Sequence, residues 1–93
     1  PAIVRDVAMI VEDSVTHARV LGVVKKAKPA NFVAARLFDV FRGKNVPEGQ
    51  KSMAYTFVYR NIDRTLTDDE VNNEHWKLVA ALSESLAAVI RDT

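Results

Sequence analysis

The chain has 93 residues, 48% hydrophobic and 27% charged, with 13 basic against 12 acidic side chains, a net charge of +1 and no cysteine. That length supports one domain with a single modest core, and no apolar run nears the roughly 18 residues needed to span a bilayer. Without cysteine there is no disulfide framework and no thiolate metal site, which fits a cytoplasmic setting, and the balanced charge carries no global signature of a free-standing nucleic-acid binder.

The chain opens on Pro1 with neither an initiator Met nor a signal-peptide pattern, so residues 1–93 are expected to be one domain of a longer protein. Ile3 to Val11 is β-branched-rich and too short for an amphipathic helix, which predicts a strand. After a turn at Glu12–Ser14, Ser14 or Thr16 can cap a helix with apolar positions Val20, Leu21, Val24 and Ala27. Lys25, Lys26 and Lys28 complement the dipole at its end, and Pro29 forbids continuation.

Asn31 to Arg42 and Ser52 to Arg60 read as the two arms of a long hairpin, the second with strong alternation. Their connection, GKNVPEGQK at Gly43 to Lys51, is too long for a tight turn and is expected to project as an ordered or semi-mobile finger. Thr67 and Glu70 form a capping box, and Val71, His75, Leu78, Val79, Leu82 and Leu86 share one face of the helix that follows. Val89 and Ile90 then suggest a short edge strand. The order β, α, β, β, α, β gives an α+β fold, a ferredoxin-like βαββαβ sandwich whose antiparallel sheet carries two helices on one face.

Strand alternation sorts the sheet residues into two sets. Val7, Met9, Val11, Phe38, Val40, Met53, Tyr55, Phe57 and Tyr59 are expected to face the helices. Asp6, Ala8, Ile10, Leu37, Asp39, Phe41, Ser52, Ala54, Thr56 and Val58 are expected on the open face. An uncovered sheet with an aromatic ring, small residues and carboxylates resembles a platform for splayed bases, where rings stack and Asp accepts from base N–H groups. The same placement suits packing against another domain, and Asp39 suits a surface ion pair with Arg91 or Lys51. His17 and His75 lie too far apart in such a fold for a metal site, and His75 reads as a partly buried structural residue. No Gly-rich phosphate loop, Ser-His-Asp or Cys-His set, helical HExxH pair or RRM aromatic signature is present, so neither catalytic nor metal-binding residues are expected. A small-molecule regulatory module on this fold would lack its Gly-rich ligand loop.

Four blocks carry a more specific likeness: PAIVRDVAMIV at the start, LFDVFRG at Leu37 to Gly43, VPEGQKSMAY at Val46 to Tyr55 and DRTLTDDEVN at Asp63 to Asn72. In this order and spacing, over nearly the full length, the chain resembles the C-terminal ferredoxin-fold anticodon-binding domain of the bacterial phenylalanyl-tRNA synthetase β subunit. The resemblance implies that the open face meets the anticodon stem-loop of tRNA(Phe) and reads its first base, a guanine. By position, Asp39 would accept from the guanine edge, and Ser52 and Ala54 would line the pocket. Phe41 would offer a ring where the family often has Tyr, keeping the stack and losing a phenol hydrogen bond. Arg91 would lay its guanidinium on the base or pair with phosphate. The parent implied is an α2β2 heterotetramer in which other β-subunit domains and the α subunit are this domain's partners and other domains hold the tRNA, with ATP and magnesium used in the α subunit and no cofactor here. The excised domain is expected to be monomeric and away from membranes. The alternative is a noncatalytic interdomain module that touches no RNA.

Overall fold

In the computed structural model, residues 1–91 are described. Among them the chain forms β1 (Ile3–Glu12), α1 (His17–Ala27), β2 (Phe32–Phe41), β3 (Gln50–Tyr59), α2 (Asp68–Leu86) and β4 (Val89–Arg91). The strands make one antiparallel sheet in the order β2-β3-β1-β4. Both helices cover the same face, which is the expected α+β ferredoxin-like βαββαβ sandwich.

The core is built where alternation put it on β1 and β3: Val7, Met9, Val11, Met53, Tyr55, Phe57 and Tyr59 are buried beneath Val20 and Val24 of α1 and the apolar stripe of α2. Every α2 residue expected on that stripe, His75 included, is buried. On α1 the stripe is narrower, since Leu21 and Ala27 are exposed and Val23 is the half-buried partner of Val20 and Val24. Thr16 is the cap of α1, accepting from Arg19 N–H at 3.1 Å, and the helix ends as Lys28 turns left-handed at φ 48° just before Pro29.

β2 departs from the expected parity. Register shifts fall between Phe32 and Ala34 and between Leu37 and Asp39, so Val33 and Phe38 are bulged residues with no partner on β3. Each extra residue reverses the faces. Leu37, expected on the open face, pairs with Tyr55 and packs on the core, whereas Phe38, expected in the core, is 61% exposed. Val40 keeps the helix-facing side opposite Met53 but is exposed at the sheet edge. Beyond the second bulge Asp39 and Phe41 recover the open face.

The hairpin connection is ordered by two turns, Val46 N–H to Gly43 C=O at 3.0 Å and Gln50 N–H to Pro47 C=O at 3.1 Å. Gly43 and Gly49 take positive φ there. Val46 is buried, Asp13 N–H donates to Gly49 C=O at 3.0 Å, and Arg42 pairs with Asp13, holding that carboxyl below its usual range. The loop is thereby pinned to the β1–α1 turn.

The capping box of α2 is complete: Thr67 Oγ1 accepts from Glu70 N–H at 3.2 Å, and Thr67 N–H donates to Glu70 at 2.8 Å. Arg5 donates to Asn72 Oδ1 at 3.0 and 3.1 Å, tying β1 to the first turns of α2. Thr67→Ala is expected to cost about 1 kcal/mol by denaturant unfolding; an unchanged midpoint would show that the tertiary contacts of α2 make its cap redundant.

Glu70 is held below the usual carboxylate range by the Thr67 N–H and then by Arg64, and Glu74 by the Ala30 N–H and then by Lys77. A carboxyl depressed in the folded state stabilises above its unfolded pKa and loses that contribution as pH falls through the folded one. The thermal midpoint should therefore hold down to about pH 4.5 and fall below it, and Glu70→Gln should make the fall shallower. A midpoint that rises on acidification contradicts these contacts.

Candidate nucleic-acid interface

The face turned away from the helices is read from the register. Across the four strands, Asp39 pairs with Ala54, Ala54 with Ala8 and Ala8 with Arg91. The next row is Phe41, Ser52, Ile10 and Val89, and the row on the other side is Arg36, Thr56 and Asp6. Neighbouring strands are about 4.8 Å apart, so Asp39 and Arg91 stand about 14 Å apart at opposite ends of a row floored by two methyl groups. A flat ring can approach the backbone most closely over alanine, with a carboxylate at one end of the row and a guanidinium at the other.

All five residues expected at the site, Asp39, Phe41, Ser52, Ala54 and Arg91, therefore share this one face. Phe41 is 47% exposed, Asp39 and Arg91 are exposed, and Ser52 and Ala54 are half-buried between strands. Among the described residues, the side chains of Asp39 and Arg91 make no hydrogen bond or ion pair, so the surface pairing of Asp39 with Arg91 or Lys51 does not form. Lys51 lies on the other face, opposite Val11. Asp6 is engaged, accepting from Thr56 Oγ1 at 2.7 Å. Ala8, Arg36 and Val89 complete the surface and were not among the expected site residues. Their signal was the register, which places each beside a residue that was.

The histidines belong to the opposite layer. His17 Nδ1 meets the Tyr55 hydroxyl at 2.8 Å and His75 Nδ1 meets the Tyr59 hydroxyl at 3.2 Å. Burial pushes both phenols up to about 12, so the hydroxyls stay protonated in these contacts. No group of three or more metal-ligating side chains occurs among the described residues, and no helix there is long and apolar enough to cross a membrane.

Residues 1–91 match the model of the family described as the ferredoxin-fold anticodon binding domain. The chain belongs to that family. It is similar to phenylalanine–tRNA ligase β subunits. It is 44% identical over 91 residues to the one from Lactiplantibacillus plantarum, covering 98% of this chain and 11% of that protein. Identity is 46% to the one from Moorella thermoacetica, with the same coverage. It is 42% to the one from Clostridium tetani, covering 98% of this chain and 12% of that protein. The chain thus spans about a ninth of the length of these curated relatives.

Proposed function

We propose that this ferredoxin-fold anticodon binding domain belongs to a phenylalanine–tRNA ligase β subunit and seats the anticodon stem-loop of tRNA(Phe) on its open sheet face. The observation that carries the reading is the row Asp39, Ala54, Ala8, Arg91: a two-alanine floor flanked by a carboxylate and a guanidinium whose side chains make no ion pair among the described residues. Guanine presents two N–H donors on its Watson–Crick edge, and an ionised carboxylate is a pair of acceptors with no donor. Adenine, with an acceptor where guanine has N1–H, would face the Asp39 oxygens with like polarity. Phe41 stacks the base, Ser52 lines its edge, and Arg91 covers it or meets phosphate.

The domain does no chemistry itself. It acts within an α2β2 enzyme of the cytoplasm whose other β-subunit domains and α subunit hold the rest of the tRNA, and whose α subunit uses ATP and magnesium. Tethering explains how a face with few cations contributes, because the rest of the enzyme raises the local concentration of the anticodon at the sheet.

Asp39→Asn tests the reading. A bidentate base contact is worth about 1 to 3 kcal/mol of discrimination, so preference for guanine over adenine at the first anticodon position should shrink about fivefold or more. Competition between two hairpins differing only at that base measures it, and preserved discrimination would remove Asp39 from base readout. The interdomain alternative packs this same face against another domain or uses an edge strand, and the exposed Val33 and Phe38 lie on the β2 edge.

A further inference from the structure

We propose that Arg36 holds the phosphate of a nucleotide adjoining the one seated on the alanine floor, an inference that rests on the RNA-docking reading above. By register, the cations of the open face among the described residues are Arg91, at the β4 end of the floor row, and Arg36, at the β2 end of the row beside it. Arg36 is exposed, lies one row from Asp39, and its side chain makes no hydrogen bond or ion pair among the described residues.

The three rows differ in chemistry in a way that orients an RNA strand. Phe41 and Val89, either side of Ser52 and the buried Ile10, make one flank largely apolar, with the Phe41 ring suited to a base plane. Arg36, Thr56 and Asp6 make the other flank polar. Successive rows are two residues apart, about 6.7 Å along the strands, so a base on the floor with its ring toward Phe41 directs its sugar and phosphate toward Arg36. Asp6 makes no ion pair with this cation, and its side-chain contact is the hydrogen bond from Thr56 Oγ1. A guanidinium fork matches phosphate oxygens in a way that no other side chain on this flank does.

The test is Arg36→Gln beside Arg36→Lys, titrated by fluorescence anisotropy with an anticodon stem-loop hairpin across a salt series, using hairpins with guanine or adenine at the first anticodon position. A phosphate contact in a single-stranded loop contributes about 0.7 to the slope of log affinity against log salt. Arg36→Gln should lower the slope by that amount and weaken binding about tenfold, equally for both hairpins, while Arg36→Lys retains the slope. Unchanged affinity and slope in Arg36→Gln overturn the assignment and leave the docking face standing. A loss that depends on the base makes Arg36 a base reader and overturns it too. Absence of any contribution to hairpin binding, both by the unaltered chain alone at the lowest salt and by the chain within its parent enzyme, overturns both this inference and the reading it rests on.

Discussion

Phe57→Ala is expected to cost about 3 to 5 kcal/mol of folding stability, a large share of the roughly 5 to 15 kcal/mol that holds a domain of this size together. Phe57 is fully buried and its ring lies 5.7 Å from Tyr55, 6.0 Å from Phe32 and 5.9 Å from His75. Truncation empties the point where β2, β3 and α2 meet, and close-packed neighbours relax only partly into such a void. The thermal midpoint should fall by well over about 10 °C. Phe38→Ala is the matched control. With its ring 61% exposed, Phe38 should change stability by no more than about 0.5 kcal/mol. Equal losses in the two variants would mean that the bulge does not expel Phe38 from the core.

Phe41→Ala should leave the fold nearly as stable and weaken anticodon-loop binding by about 1 to 3 kcal/mol, the value of one stacked base. The ring is half exposed in the row beside the alanine floor, so its loss removes a stacking surface without opening a cavity. Equilibrium titration of the altered and unaltered chains against the tRNA(Phe) hairpin measures the effect, and Phe41→Tyr should bind at least as well as the unaltered chain. Equal affinities for Phe41→Ala and the unaltered chain would take the ring out of the site.

How much of this was legible in the residues differs by element. α2 was readable because a capping box, acidic first turn and unbroken stripe from Val71 to Leu86 all agree. β3 was readable because its alternation is uninterrupted and it is an interior strand with partners on both sides. β2 was not. A bulge is a property of pairing between strands, so nothing local in RLFDVF announces that Phe38 is the extra residue, and assuming strict alternation exchanged Leu37 and Phe38 between faces.

The expected site residues still share one face because Asp39 and Phe41 both lie beyond the second bulge, where parity relative to Ser52 and Ala54 is simple again. Arg36 lies before it. A uniform parity carried back from Asp39 puts residue 36 on the helix side, which hid the cation that the register brings to the open face. Arg91 was reached through resemblance, and its place in the row comes from the pairing of β4 with Ala8.

The most direct measurement is amide chemical-shift mapping of the chain titrated with the anticodon stem-loop hairpin. The account predicts the largest perturbations at Ala8, Asp39, Phe41, Ser52, Ala54 and Arg91, with α1 and the exposed side of α2 unmoved. Perturbations confined to the helices, with the alanine row silent, would contradict it.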